Sequence, residues 1–374
     1  MNAKEAIQAR ARELGFDACR FTTAEPPASA PRLREWLNLQ RHGDMAWLAR
    51  NADKRAEPQR VLPGARTIVA LAVAYGDATC SIPAPAPGLN LGAATFQSPQ
   101  TGSGDARNVA PPMSGFIARY ARHADYHDVL ATPLKSLTAF VNELGGPGTK
   151  SLWYADTGPL LERDLAQRAG LGFVGKHTNL ISRSRGNWIL LAEILTTLEL
   201  APDPPEKNRC GSCVRCIAAC PTEAIVAPFQ LDARLCLSYL TIEAKGAIPV
   251  ELRPALGNRV FGCDDCLAAC PWNRFAQEGR LMREAARVEL AVPDLLELLA
   301  LDEAGFRARF AGTPIFRAKR RGLLRNVGVA LGNVGDERAL PALAKAAGDL
   351  EPLVAEHARW AREQIGRRAV ATAR

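Results

Sequence analysis

No stretch of this 374-residue sequence approaches the roughly 20 consecutive apolar residues of a membrane-spanning helix. The opening segment, MNAKEAIQARARELGF, sets Ala, Ile and Leu on one face of a helical pattern. It has neither the apolar core of a secretory signal nor a twin-arginine pair. These absences predict a cytoplasmic protein with no membrane association, in a compartment where disulfides are rare and clustered cysteines read as metal ligands. Histidine is scarce, at five residues, so imidazole chemistry has few candidates. Acid is missing locally: from Ala304 to Gly335 there is no Asp or Glu, while Arg307, Arg309, Arg317, Lys319, Arg320, Arg321 and Arg325 all fall there. So one-sided a charge balance favours a polyanionic partner over a merely solvated face.

What is present in quantity is cysteine, ten residues, eight of them grouped. Cys210, Cys213, Cys216 and Cys220, closed by Pro221, follow the C-x2-C-x2-C-x3-C-P run of bacterial ferredoxins, whose fourth cysteine serves a second cluster. The segment CDDCLAACP supplies Cys263, Cys266 and Cys270 before Pro271, and Cys236 in RLCLSY replaces the missing first member. Exchange of the fourth ligands predicts one 4Fe-4S cluster on Cys210, Cys213, Cys216 and Cys270, and another on Cys220, Cys236, Cys263 and Cys266. Zinc is the competing occupant of any four-thiolate site, although it does not call for the x3-C-P ending twice. Cys19 and Cys80 are left over and receive no role, a lone cysteine being most often a small buried hydrophobe or an inert thiol.

The formal net charge of +8 counts every cysteine as neutral. Two oxidised clusters with their thiolates would bring it to about +4. Apolar residues at 47% and charged residues at 23% are ordinary for a globular protein, and the length suffices for two or three domains.

The pattern divides the chain into residues 1–200, 201–278 and 279–374. ARTIVALAVAY reads as a buried strand, HDVLATPLKSLTAFVNELG as an amphipathic helix stopped by Gly145 and Gly146, and SLWYA, HTNLIS and NWILLAEILTT as further strands. This βα alternation predicts an α/β domain with helices covering a sheet. A Pro-, Gly-, Ala- and Ser-rich segment from Asp77 to Gly115 reads as a loop or disordered insert. APDPPEKNR, with Pro202, Pro204 and Pro205, reads as an extended spacer before a ferredoxin-like region. Beyond it, RRGLLRNVGVALGNVGDERALPALAKAAGD and PLVAEHARWAREQI carry apolar residues at helical spacing. That pattern suits a HEAT-like repeat docked on the preceding domain, or a plain helical cap.

Asp156 lies where SLWYA ends, before TGPLLERDLAQRAG, with Pro159 expected in the first helical turn. Strand ends of open α/β sheets bind ligands, but an Asp before a helix is also an ordinary cap, and spacing favours the cap. Lys176 and His177, after a glycine turn, could meet a cofactor, a point the spacing leaves undecided. DYHDVL holds Asp125 and His127 but Leu130 where a D-x-H-x-x-G cobalamin signature needs glycine, so His127 is expected to bond locally in a helix.

DTGPLLERDLAQRAGLGFVGKHTNLI, followed by CLSYLTIE and GCDDCLAACPWN in this order with the cysteine groups, resembles the epoxyqueuosine reductases, which act in queuosine formation in tRNA. The resemblance runs from the first helix to the C-terminal repeat. It implies an N-terminal α/β domain holding cobalamin, two 4Fe-4S clusters beside it, and a helical tail gripping the anticodon stem-loop. It implies Asp156 as the proton donor and Arg50, Asp156, Asn179, Ser238, Cys263 and Asp264 as cobalamin contacts. Arg317, Lys319, Arg320 and Arg321 would meet tRNA phosphates. A low-potential donor such as a flavodoxin or ferredoxin system would supply electrons to a monomer. The insert at 77–115 departs from the compact family pattern. Two rivals remain: a corrinoid reductive dehalogenase, whose relatives resemble exported proteins with twin-arginine leaders, and a ferredoxin-like electron carrier with an RNA-binding tail and no catalysis.

Overall fold

The computed structural model describes residues 2–76 and 113–372, so Cys80 and most of the predicted insert lie outside the described residues. Its centre is a four-stranded sheet of β1 (Ala18–Thr23), β2 (Thr67–Ala74), β3 (Ser151–Tyr154) and β4 (Ile189–Thr196), in the order β1-β2-β4-β3. All eight residues of β2 are buried because both faces are covered. Side chains alternate across a strand, and the packing follows that alternation. Val69, Leu71 and Val73 pack with Ile7 of α1 (Ala3–Glu13) and with Leu130, Leu134 and Leu137 of α2 (Tyr126–Gly145). On the other face Ile68 packs with Leu165, and Ala70 and Ala72 with Ala166, both from α3 (Glu162–Arg168).

Every neighbouring pair in this sheet is antiparallel. The crevice rule for parallel α/β sheets therefore does not place Asp156; the β3–α3 connection does. Two local expectations change with it. HTNLIS contributes only Leu180–Ile181, paired with Phe173–Val174 in a separate two-stranded ribbon. The helix after Asp156 starts at Glu162, leaving Pro159 in the turn. Gly158 holds that turn against the Tyr154 ring, where a Cβ would come within 2.5 Å of the ring.

The proline-rich spacer is pinned to the sheet domain. The Asp203 carboxylate accepts the Phe21 N–H at 2.9 Å and the Lys4 ammonium at 2.8 Å, and the Glu206 N–H donates to the Gln167 carbonyl. Its extended backbone is paired to the protein, so it works as a strap. Packing also crosses the boundaries near residues 200 and 278. Phe116–Ile117 pairs in parallel with Arg259–Phe261, Tyr75 bridges to Glu278, and His123 to Ala286. One apolar core runs from Ile117 and Ala121 through Val260 and Phe261 to Phe306, Leu323, Leu331 and Ile365.

The C-terminal region is built on α4 (Lys319–Val334), α5 (Leu340–Ala346) and α6 (Pro352–Thr372). From Gly322 to Gly332 every residue of α4 is buried. Gly332 permits close approach to α6, since a Cβ there would lie 2.3 Å from the Trp360 ring. The helices dock on the preceding region through Arg325, 1% exposed, which donates to the carbonyls of Leu240, Ala244 and Gly246. Among the described residues no helix is long and apolar enough to cross a membrane.

Candidate active site

The β3–α3 turn gives Asp156 an unusual backbone. Its φ is +61°, the left-handed region that side chains other than glycine seldom occupy, and the Thr157 N–H closes a tight turn onto the Ala155 carbonyl at 2.7 Å. Such local strain persists where surrounding structure holds it and concentrates at functional sites. Asp156 caps no helix: α3 begins six residues later at Glu162, behind Leu161, which makes no side-chain cap bond. Its side chain is exposed, and its Oδ2 accepts a 2.5 Å hydrogen bond from the Tyr126 hydroxyl.

Tyr126 opens α2, behind an Asp125 cap whose Oδ1 accepts the His127 N–H. His127 bonds back to Asp125 at 2.8 Å, the local role expected of it. Arg317 completes the wall. Its Nη2 donates to both Asp125 oxygens at 2.7 Å, and its guanidinium lies 5.4 Å from the centre of the Tyr126 ring. Burial, and then the negative charge of Asp156, pushes the Tyr126 phenol far above its ordinary value, so Tyr126 remains a proton-bearing donor. Glu243 adds a carboxyl that burial raises, influenced by Arg317 and Asp156 in turn.

Beneath the turn lie two carboxyls that sequence reasoning missed. Glu193 is 1% exposed on β4, and neither of its oxygens has a hydrogen-bond donor. Glu162, at the start of α3, likewise has a buried Oε1 without a partner. Burial and then the charge of Asp156 push Glu162 up to about 8, and burial followed by the charges of Glu162 and Asp156 raises Glu193 strongly. Arg55 reaches the same turn, donating to the Leu160 carbonyl at 2.9 Å, with its charge felt by Glu162. Tyr126, Glu162, Glu193 and Arg55 belong to separate elements. A lone Glu inside the apolar run NWILLAEILTT was the only signal that could have drawn attention to Glu193.

The cysteines gather in two foursomes. Burial, then Cys210, Cys216 and Cys213 as neighbours, pushes the Cys270 thiol up to about 11. Cys266 is raised by burial and then by Cys263, Cys236 and Cys220. The neighbours thus follow the exchanged pattern, with Cys270 among the first group and Cys220 among the second. Among the described residues no three His, Cys, Asp or Glu side chains converge as one ion would require. Four thiolates each binding a different iron of a cubane stand farther apart than zinc ligands do, so the donors present fit 4Fe-4S clusters. Lys176 serves the first loop, its ammonium donating to the carbonyls of Gly211 and Cys213, both at 2.9 Å. His177 is buried, pushed down to about 4 by burial, and accepts the Asn179 N–H. Cys19 is buried, and burial first of all raises its thiol.

The second foursome adjoins the acid turn. Asp264 is buried and accepts the Arg119 N–H at 2.7 Å, while the next residue, Tyr120, stacks edge-on with Tyr126 at 6.1 Å. The Tyr120 phenol is raised chiefly by burial, with Arg317 opposing and Asp156 and Asp264 adding to the rise. Ser238 lies near Cys236 on the short helix Leu237–Ile242. Asn179 follows Thr178, whose carbonyl accepts from Arg163 of α3. Arg50 is exposed at the end of Ala46–Arg50, one short helix before Arg55. A separate cavity of about 400 Å³, lined by Pro27, Ala30, Arg34, Asp53 and Arg60 among others, contains none of the expected site residues.

The basic stretch is less free than its sequence suggests. Arg317 pairs with Asp125, Arg320 with Asp349 at 2.6 Å, Arg309 with Glu297 and Arg307 with Glu303. Arg325 is interior. Lys319 and Arg321 are exposed, and no ion pair holds either among the described residues.

A double foursome of thiolates beside a strained, exposed acid and a proton-bearing tyrosine defines a redox enzyme of the iron-sulfur class. Comparison with known proteins names its kind. The family model "4Fe-4S double cluster binding domain" matches residues 209–273, and "Epoxyqueuosine reductase QueG, DUF1730" matches residues 55–157. The chain is 40% identical to the epoxyqueuosine reductase of Xanthomonas campestris over 98% of its length and 97% of the relative's. It is 40% identical to that of Escherichia coli, covering 95% of this chain and 88% of the other. A crystal structure of epoxyqueuosine reductase with an epoxyqueuosine-modified tRNA-Tyr stem loop aligns with TM-score 0.82 at 33% identity, covering 99% of this chain and 92% of that one. The Bacillus subtilis enzyme, solved with its catalytic aspartate loop swung out of the active site, aligns with TM-score 0.82 at 32% identity over the same shares. The chain belongs to the epoxyqueuosine reductase family.

Proposed function

We propose that this protein reduces epoxyqueuosine to queuosine in tRNA, with Asp156 as the proton donor. The observation that carries the reading is the Asp156 turn, strained, exposed and tethered to Tyr126, beside the second cysteine foursome. Removing an epoxide oxygen as water consumes two electrons and two protons, so the site must deliver both. When bound, the two clusters and cobalamin would supply the electrons and the metal centre that such a reduction needs. Ser238, Cys263 and Asp264 would hold the cobalamin from the cluster side, and Arg50 and Asn179 from segments bordering the Asp156 turn. The donors and rings of that wall, buried Tyr126 with half-buried Tyr120 and Arg119, suit a large cofactor. Tyr126 orients the Asp156 carboxyl, and Arg317 holds Tyr126 and Asp125 in place. A low-potential donor such as a flavodoxin or ferredoxin feeds the clusters in a cytoplasmic monomer.

The test is anaerobic: reconstitute clusters, add cobalamin and a chemical reductant, and follow epoxyqueuosine-bearing tRNA by nucleoside mass spectrometry. Cobalamin-dependent loss of one oxygen is expected. No conversion by protein carrying both clusters and corrinoid would move the assignment to another corrinoid reduction.

The tRNA would be gripped by the C-terminal helices, a HEAT-like element in this reading, through Arg317, Lys319, Arg320 and Arg321. Because Arg317 and Arg320 already have carboxylate partners, Lys319 and Arg321 should carry most of the salt-dependent affinity. Lys319→Ala with Arg321→Ala should raise the KM for tRNA and reduce the salt slope of binding by roughly 0.7–0.9 for each phosphate no longer neutralised. Binding that ignored the double substitution would place the RNA on another surface.

A further inference from the structure

We infer that a small acidic one-electron carrier protein docks over the first cysteine foursome, on a surface with Val214 and Phe229 at its centre and Lys207 and Arg215 at its rim. The inference takes the two clusters and their protein donor from the function proposed above, and does not depend on the tRNA substrate.

The two foursomes differ in what flanks them. Arg209, Gly211, Ser212 and Val214, the chain neighbours of Cys210 and Cys213, are all exposed. Beside the second foursome Leu237, Gly262 and Asp264 are buried, and that foursome adjoins the Asp156 turn. The inner side of the first foursome is closed, because Cys270 is buried against Phe173 and Ile181, with Cys210 packed on the same cluster. Electron transfer weakens steeply with distance, so the exposed Cys210–Cys213 loop is where a carrier must come close.

The surface around that loop has the make-up of a short-lived redox contact. Val214 is 52% exposed, and Val226 and Phe229 on the neighbouring loop are 43% and 38% exposed. Lys176 ties the two loops together. Its carbonyl accepts the Phe229 N–H at 3.0 Å, while its ammonium is occupied by the Gly211 and Cys213 carbonyls. Lys207 and Arg215 are exposed, and no ion pair holds either among the described residues. Glu206 is taken up by Arg209 at 3.2 Å and Arg183 at 3.9 Å, and from Lys207 to Leu231 the sequence has one acid, Glu223. A small apolar centre gives limited affinity, and a cationic rim steers an acidic partner into place. An RNA would use the cations but gain little from the two valines, so the apolar centre favours a protein. An acidic flavodoxin in its anionic hydroquinone state fits this chemistry. It gives one electron to the first cluster and becomes the neutral semiquinone, with no proton exchanged.

The test mixes reconstituted protein, without cobalamin or tRNA, with flavodoxin hydroquinone in an anaerobic stopped-flow instrument and follows the loss of cluster absorbance. For the wild type the second-order rate constant should fall as ionic strength rises. Lys207→Glu with Arg215→Glu should lower it about tenfold at low salt and remove most of its salt dependence. Iron content, the extent of reduction by excess dithionite, and tRNA binding should match the wild type. If charge reversal impairs cluster assembly, Lys207→Gln with Arg215→Gln should still give a smaller loss in the same direction. A wild-type rate indifferent to salt would overturn the inference, as would a reversal variant reduced as fast as the wild type. Equal slowing with photoreduced deazaflavin, a small neutral reductant, would place the effect in the cluster and overturn it too. Loss of tRNA affinity with an unchanged reduction rate would make the surface an RNA face. Because the rate is measured without cobalamin or tRNA, failure of docking and failure of the epoxide reduction are separately visible.

Discussion

Asp156→Asn should lower conversion of epoxyqueuosine-bearing tRNA by roughly 10²- to 10⁴-fold, the range for loss of a positioned general acid. Asparagine suits this position sterically, because it tolerates the left-handed backbone that Asp156 adopts at φ +61° and can still accept from the Tyr126 hydroxyl. Turn and tether therefore survive, and only the transferable proton is lost. Asp156→Ala should lose the same factor together with some order in the turn, since alanine pays the full cost of a positive φ. Single-turnover conversion by mass spectrometry, with cluster spectra and cobalamin binding recorded on the same sample, separates loss of chemistry from loss of cofactor. Turnover at the wild-type rate with cofactors retained would remove Asp156 from the proton-donor role.

Cys270→Ala carries the other large effect. It lies in the second cysteine motif, yet its neighbours are Cys210, Cys213 and Cys216. Iron per chain should fall from about eight to about four. The electron paramagnetic resonance signal that disappears should be the one removed by Cys213→Ala, while Cys266→Ala should remove the other. Turnover should become undetectable in all three, because either break interrupts electron delivery. If Cys270→Ala and Cys266→Ala abolished the same signal, the exchange of fourth ligands would be wrong.

Much of this site was legible in advance because its chemistry is written in local spacing. Cysteine motifs close on a cluster within a few residues, so their pattern survives in one dimension, and even the exchange of fourth ligands follows from the motif. Asp156 was visible as the residue leaving a strand, but spacing favoured a cap, which the late start of α3 at Glu162 removes. The excess of positive charge was legible, but its pairing was not: Asp125, Glu297, Glu303 and Asp349 come from outside the segment to pair with its arginines, and Arg325 is interior.

What the sequence by itself determined, then, was the family and the cysteine chemistry, both carried by short runs with fixed spacing. Only the tertiary structure decided that the sheet is antiparallel, that the proline strap is bound, that Tyr126 bonds Asp156 and Arg317 bonds Asp125, and that Glu193 is buried with neither oxygen partnered. The physical reason is that hydrogen bonding, ion pairing and desolvation act over a few ångströms in space, and the residues they join here lie 30 or more positions apart in the chain: Tyr126 and Asp156 by 30, Arg317 and Asp125 by 192.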